Sequence, residues 1–189
     1  MNDKLELIRL SFTFFLPELI LTLGMLILLV SGLFKKLQPL TFHILSLFIF
    51  VLSLLSVILF WENYSTSVNL FLNMLRSDNF STYLKILFNV SGILTVLMSW
   101  RNLNLSDDFT STQTVTTNHF HTSNTLTKKN LSEYYALLIA ITLGAHVLVM
   151  SINFVTAFIS LELISISSYL ITGFAFTKNS TEGSLKYFL

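Results

Sequence analysis

The chain has 189 residues, of which 53% are hydrophobic and only 11% are charged, and its formal net charge is +1. A soluble domain carries about 25% charged residues, so this chain has less than half of the usual content. No basic stripe is present that could neutralise a nucleic-acid backbone, which excludes that class of partner. The absence of cysteine excludes disulfides, thiolate zinc sites and iron–sulfur ligation.

Five apolar stretches are long enough to cross a bilayer, because about 20 apolar residues at 1.5 Å each span its hydrocarbon core. Spans of this length exclude a soluble enzyme. The run 134–177 is about twice the length of one crossing, and the polar Ser151-Ile152-Asn153 predicts a turn that divides it into two helices. The predicted bounds of the five helices are 12–34, 40–60, 83–100, 134–151 and 154–176.

A polar linker, residues 102–133, divides the first three helices, in residues 1–101, from the remainder, residues 134–189. It is rich in Thr, Asn and Ser and has no apolar periodicity, which is typical of a solvent-exposed segment. His119 and His121 lie in it as His-Phe-His. We interpret them as solvated side chains rather than half of a metal site, because no other ligand cluster accompanies them.

A sixth helix is predicted to begin over about residues 180–189. Asn179 is placed as its N-cap, with Glu182 three residues further on in the manner of a capping box. Lys186 follows Glu182 by four residues, which is the favourable order for an ion pair on one helix face. The predicted fold is therefore an all-α polytopic membrane protein with five full transmembrane helices and the start of a sixth.

Glu162 is the single formal charge in the run 134–177 and the ninth residue of the predicted fifth helix. An ionised carboxylate at such a depth costs about 2.5–3.5 kcal/mol or more, so it needs a partner, a cavity or a proton path. Ser165 and Tyr169 fall on the same helix face. We interpret Glu162 as a protonatable relay group. The alternative is a carboxylate that holds two helices together.

Other ionisable side chains carry weaker signals. Glu18, near the start of its helix, is interpreted as an anchor that reaches headgroups or complements a helix N-terminus. Lys85 lies at the edge of the third helix, where its stem can snorkel. His146 is interpreted as a hydrogen-bonded packing residue. Lys186 is either a buried relay cation or the partner of Glu182.

Four motifs, in this order, resemble NADH dehydrogenase subunit 2. The two C-terminal ones are similar to the family runs Leu-Glu-Leu-x-Ser-Leu-Ser-x-Tyr and Ser-Thr-Glu-Ala-x-Leu-Lys-Tyr-Phe, and together they are fairly specific for that family. The four motifs are LPELIL at 16–21, NMLRSDNF at 73–80, LELISISSY at 161–169 and STEGSLKYF at 180–188.

The resemblance implies an antiporter-like subunit in the membrane arm of respiratory complex I, where it contributes to proton translocation. In that family the glutamate that matches Glu162 pairs with a lysine on the seventh helix, and the lysine that matches Lys186 modulates that pair. The resemblance also implies that NADH, flavin, iron–sulfur and quinone sites lie on other subunits, so that this chain holds no cofactor. Its expected partners are other membrane-arm subunits and membrane lipids.

The expected location is the mitochondrial inner membrane, and less so a bacterial plasma membrane. The first residues, Met1 to Glu6, are acidic as well as basic, which argues against an Arg-rich presequence and is consistent with synthesis inside an organelle.

The sequence departs from the family in its helix count, because the seventh-helix lysine and all later helices are absent from it. The linker 102–133 is also longer than the usual connection. We expect a naturally split subunit, in which a second polypeptide supplies the remaining helices, although a truncated sequence is the alternative. Two other functions stay open: a subunit of a cation/proton antiporter or membrane-bound hydrogenase, and a purely structural membrane scaffold.

Overall fold

The computed structural model describes residues 11–12, 14–33, 38–59, 67–71, 73–111, 131–174 and 178–189. Within these ranges the chain forms six helices and one two-stranded β-hairpin. In chain order the elements are α1 Leu16–Leu33, α2 Pro39–Leu59, β1 Val68–Leu70, β2 Leu75–Ser77, α3 Asn79–Ser111, α4 Leu131–Met150, α5 Phe154–Thr172 and α6 Lys178–Phe188.

Five of the described helices, α1 to α5, contain a span that is long and apolar enough to cross a membrane. This confirms the predicted fold class of five membrane-length helices followed by the start of another. The turn between α4 and α5 falls at residues 151–153. There Asn153 caps α5, since its Oδ1 accepts a hydrogen bond from the Val155 amide at 3.2 Å.

The helices extend into the segment that we expected to be a linker. α3 continues to Ser111 and α4 begins at Leu131, so both ends of the predicted range 102–133 are helical. Counting apolar residues detects only the part of a helix that matches the bilayer. Polar residues can continue the same helix beyond it, because helical backbone hydrogen bonds are made within the segment. The positions of His119 and His121 lie outside the described residues.

The β-hairpin between α2 and α3 was not predicted. Its antiparallel pairs are Val68–Ser77, Asn69–Arg76 and Leu70–Leu75. Phe71 and Asn73 have φ values of 47° and 65° in the turn, and a Phe in the left-handed region is not a recognisable turn signal. Strands of three residues are also too short to show a period-2 pattern.

The hairpin packs against the turn between α4 and α5. Leu75 forms an isolated antiparallel bridge with Ser151, and the Ile152 amide donates a hydrogen bond to the Met74 carbonyl at 3.1 Å. A reciprocal cap then starts α3: the Ser81 amide donates to Asp78 Oδ1 at 2.8 Å, and the Asp78 amide donates to Ser81 Oγ at 2.9 Å. The hairpin and the turn between α4 and α5 thus lie together at one end of the helix bundle.

α4 is the central helix, since it packs against α1, α2, α3 and α5. Its inward side chains are joined by large buried residues from the other helices, including Leu21, Phe50 and Val96. α2 and α3 approach closely at Gly92, where an added Cβ atom would lie 2.5 Å from the Phe50 ring. The core is therefore tightly packed at the middle of the bundle.

α5 lies at the edge of the described bundle. It meets α4 closely at Gly144, where a Cβ atom would lie 2.8 Å from the Ile164 side chain and 3.2 Å from the Ser160 carbonyl oxygen. Only Ser160 and Ser167 of α5 are buried. The large apolar side chains that α5 leaves exposed are Phe154, Val155, Phe158, Ile159, Leu161, Ile166 and Leu170.

Candidate functional site

Three ionisable side chains from three helices meet at the hairpin end of the bundle. Glu18 lies near the start of α1, Lys85 in the second turn of α3, and His146 one turn before the end of α4. Because α1 and α3 run antiparallel to α4, the three side chains lie at the same height along the bundle. Lys85 Nζ lies 2.8 Å from Glu18 Oε1, and His146 Nδ1 lies 3.3 Å from the same oxygen. Their side chains are 0–1% exposed.

Asn89, one turn after Lys85, defines the hydrogen-bonding state of the imidazole. Its Nδ2 donates to the Lys85 carbonyl at 3.1 Å and lies 3.2 Å from His146 Nε2. Since a carbonyl can only accept, the amide nitrogen must be the atom that faces both groups, and Nε2 is then the acceptor. The other ring nitrogen, Nδ1, faces Glu18 Oε1 at 3.3 Å.

The cluster of Glu18, Lys85, His146 and Asn89 is called the buried cluster below. The Glu18 carboxylate and the Lys85 ammonium are paired in it, which is the condition under which buried ions are tolerated. Two of its oxygens are buried and accept no hydrogen bond from the part of the chain that the structure describes, Glu18 Oε2 and Asn89 Oδ1. The cluster thus retains unused acceptors inside the bundle.

Two expectations about this region need correction. Glu18 is buried and does not reach headgroups, although it does lie in the first turn of α1, where a carboxylate complements the helix N-terminus. Lys85 does not snorkel to the interface, because its ammonium is buried beside Glu18. The sequence could not pair them, since they are separated by α2 and the hairpin. A signal was nevertheless present, because each interrupts an apolar run and opposite charges at matching depth are a favourable pair. His146 is buried and hydrogen-bonded, as predicted.

Glu162 lies at the middle of α5, on the part of the helix that is exposed. Large apolar side chains flank it on that side, among them Phe158, Ile159 and Ile166. Within the described residues it forms no ion pair. Of the residues predicted to share its face, Ser165 is exposed. The described part of the chain therefore does not supply an ionic partner for Glu162.

Lys186 lies in the last turn of α6 and pairs with Glu182, four residues earlier, at 2.8 Å. The Lys186 side chain is 74% exposed and the Glu182 side chain is 55% exposed. α6 packs beside α5 through the contact of the Phe188 and Tyr169 rings, whose centroids are 5.3 Å apart. The described structure brings Lys186 to Glu182 and not to Glu162.

A second buried polar contact lies at the opposite end of the bundle. His43 of α2 is 4% exposed, and its Nδ1 lies 2.9 Å from the hydroxyl of Tyr135 of α4. Ser99 Oγ of α3 is 3.4 Å from the same hydroxyl. The sequence analysis assigned no role to His43, because a lone histidine near a predicted interface carries no partner information. Among the described residues no group of three or more His, Asp or Glu could hold a metal ion.

Comparisons with known proteins agree with this architecture. The chain is 32% identical over 177 residues to NADH-quinone oxidoreductase subunit N 1 of Solibacter usitatus, covering 93% of this chain and 32% of that protein. It is 37% identical over 120 residues to NAD(P)H-quinone oxidoreductase subunit 2 of Gloeobacter violaceus, covering 63% of this chain and 19% of that protein. The chloroplastic subunit 2 of Mesostigma viride is 28% identical over 176 residues.

A solved structure, respiratory complex I from Thermus thermophilus with bound aureothin, contains a chain with the same fold. Its TM-score is 0.64 at 20% sequence identity, and the match covers 91% of this chain and 32% of that one. No protein-family model matches the chain. This chain spans about a third of the length of the Solibacter relative and of the Thermus chain.

Proposed function

Because the chain is homologous to the antiporter-like subunit of complex I, named subunit N or subunit 2 in its relatives, we propose that it serves in the membrane arm of a respiratory NADH:ubiquinone oxidoreductase. Its contribution is to proton translocation coupled to electron transfer, with Glu162 as an intramembrane relay carboxylate. NADH, flavin, iron–sulfur and quinone sites belong to other subunits of that complex, and this chain is one part of the enzyme.

The observation that carries this proposal is the position of Glu162. A carboxylate at the middle of a membrane-length helix is costly to ionise in lipid, and within the described chain no cation offsets that cost. The exposed apolar side chains beside it need a cover as well, since α5 has only two buried residues. A neighbouring helix with a basic side chain would satisfy both requirements, and a proton could then be shared between the two groups.

Lys186 is the second proposed relay residue. Its ammonium is held by Glu182 on the exposed side of α6, and α6 lies beside α5. Exposed ion pairs of this spacing are weak, about 0.3–0.5 kcal/mol, so Lys186 can exchange partners at little cost. We infer that it modulates the charge of the relay rather than carrying the proton itself.

The proposed test is Glu162→Gln in the native complex, with the ratio of protons translocated to NADH oxidised as the measurement. We expect NADH oxidation by the assembled complex with a clear loss of translocation, because an amide cannot take up a proton. The matched control is Glu133→Gln, which neutralises another exposed carboxylate at the first turn of α4. Unchanged translocation in both variants would contradict the relay role and favour a structural scaffold.

The partners and the membrane need a separate test. We infer that other membrane-arm subunits cover α5, and that the membrane is the mitochondrial inner membrane. Native electrophoresis of fractionated membranes in mild detergent, followed by mass spectrometry of the band, tests these points. NADH-oxidising subunits are expected in that band. Cation-transport or hydrogenase subunits in their place would reassign the chain to such a machine.

A further inference from the structure

We propose that Ser180 and Ser184 of α6 are positioning residues, which bind the last carbonyl groups of α5 and thereby set the height of Lys186 relative to Glu162. The inference rests on the proposed function, because this height matters only if Lys186 modulates the relay carboxylate. It adds a role for two uncharged side chains of the segment 180–188, to which the proposed relay assigns none.

The first argument is the way in which α5 ends. A helix leaves its last carbonyl groups without partners inside the helix, and α5 ends at Thr172. The Ser180 hydroxyl donates to the Thr172 carbonyl at 2.8 Å, and the Ser184 hydroxyl donates to the Tyr169 carbonyl at 2.9 Å. The Tyr169 carbonyl also accepts from the Gly173 amide at 3.1 Å. The two serines therefore contribute to the C-terminal cap of α5 from the next helix.

The second argument is the fit of Ser184 against the end of α5. The two serines are four residues apart, so they lie on one face of α6, one turn from each other. At Gly173 an added Cβ atom would lie 3.0 Å from Ser184 Oγ and 3.1 Å from Ser184 Cβ. The absence of a side chain at Gly173 thus allows α6 to approach closely at this point. The close contact favours a single register of α6 against α5.

The third argument is that the contacts after Ser184 keep the same register. The Ser168 hydroxyl donates to the Tyr187 hydroxyl at 3.3 Å, and the Phe188 and Tyr169 rings contact each other at a centroid distance of 5.3 Å. As α6 advances along the chain, its partners on α5 recede, which is the pattern of two antiparallel helices. The contacts together hold α6 at one height along α5.

The fourth argument concerns the two charges. Lys186 directly precedes Tyr187, so its backbone lies at the level of Ser168. Glu162 is six residues before Ser168, which corresponds to about 9 Å along the helix axis at about 1.5 Å per residue. The interaction between two charges weakens with their separation, and a slip of one turn would change that separation by about 5.4 Å. The register therefore sets how strongly the Lys186 ammonium acts on Glu162.

The experiment is Ser184→Ala in the native complex, alone and together with Lys186→Met, with the protons translocated per NADH oxidised as the measurement. Alanine keeps the helix but removes the hydroxyl that binds α5. We expect the complexes to assemble and oxidise NADH, and Ser184→Ala to lower the ratio by less than Lys186→Met does. In the double variant Ser184→Ala should cause no further loss, because without the Lys186 ammonium the serine has no charge to position.

Ser180 supplies a second pair of variants. Ser180→Ala should lower the ratio as Ser184→Ala does, since both hydroxyls bind α5, whereas Ser180→Thr keeps the hydroxyl and should retain normal translocation. The matched control is Thr95→Ala, which removes a hydroxyl that donates to the Ser91 carbonyl at 2.8 Å within α3 itself. The control should leave the ratio unchanged, because its hydrogen bond does not join two helices.

Normal translocation in both Ser184→Ala and Ser180→Ala would overturn the inference, and so would a double variant whose loss is the sum of the two single losses. If neither alanine variant assembles, the serines serve folding alone, which also overturns it. Normal translocation in Lys186→Met, or none at all, would contradict the modulating role on which the inference depends. In each case a lower ratio in Glu162→Gln would show that the proposed function stands while this inference fails.

Discussion

Glu18 and Glu162 are both carboxylates in membrane-length helices, but their surroundings differ in burial and in ion pairing. Glu18 is completely buried, 2.8 Å from the Lys85 ammonium. Glu162 lies on the exposed side of α5 and forms no ion pair with any described residue. The first charge is compensated within this chain, whereas the second is not compensated by any described residue.

The difference follows from where each helix lies in the bundle. α1 packs against α2 and α4, so a charge on its inner face meets other helices of the same chain. α5 packs mainly against α4 and α6, and most of its surface has no cover. The cost of an ionised carboxylate in lipid is the same for both. A satisfied buried charge therefore marks an interior, and an unsatisfied one marks an interface.

The largest expected effect on stability comes from removing the partner of the buried carboxylate Glu18. Lys85→Met leaves Glu18 as an uncompensated buried charge, which costs about 3–5 kcal/mol. We expect a strong loss of assembled complex and a lower unfolding temperature in detergent, measured by native electrophoresis and a thermal scan. Adding Glu18→Gln to the same chain should restore most of the loss. A stable Lys85→Met single variant would show that Glu18 is neutral in the folded chain.

A smaller effect on stability is expected at the packing contact between α4 and α5. Gly144→Val places side-chain atoms against Ile164 and the Ser160 carbonyl, and overpacking of this kind costs about 1–3 kcal/mol. The variant should displace α5 and reduce proton translocation as well as thermal stability. The control is Gly183→Ala on α6, where a Cβ atom meets nothing within 4 Å. That change should raise stability by about 0.5–1 kcal/mol, since glycine is unfavourable inside a helix.

The contact at the opposite end of the bundle should be weaker than the buried cluster. Tyr135→Phe removes the hydroxyl that lies 2.9 Å from His43 Nδ1, and the loss of a buried hydrogen bond costs about 1–3 kcal/mol. The thermal unfolding temperature should fall, and the protons translocated per NADH should not. A selective loss of translocation would indicate that the Tyr135 end also belongs to a proton route.

The smallest expected effect on stability comes from changing Glu162, the exposed carboxylate. In the chain alone, Glu162→Gln should change the free energy of unfolding by less than about 0.5 kcal/mol, as for surface substitutions away from special features. Its effect on translocation in the complex should be large. A marked fall in the unfolding temperature of the chain alone in detergent would instead place a structural ion pair within the chain at this position.

The agreement between sequence and structure is best where the signal is local. The turn at 151–153 and the ion pair of Glu182 with Lys186 depend on residues within four positions of each other, and both are present. The α3 boundary and the hairpin were missed for different reasons. A polar helix end has no apolar period, and a turn with Phe71 at positive φ has no sequence signature.

The partners of Glu18, Lys85 and His146 could not be derived from the sequence, since each lies on a different helix. Apolar length specifies that a segment crosses the membrane, but it does not specify which face meets which neighbour. Hence two charges were interpreted as interfacial that are in fact completely buried. The roles of Glu162 and Lys186 stay predictions, because the groups that they would meet are not among the described residues.

The amino-acid sequence by itself determined that five of the described helices are long and apolar enough to cross a membrane and that one carboxylate lies at the middle of the last of them. Both follow from local hydrophobicity, which water and lipid act on residue by residue. Only the tertiary structure decided that Glu18 is buried and Glu162 is exposed. That distinction depends on which helices pack together, and packing joins residues that are far apart in the chain.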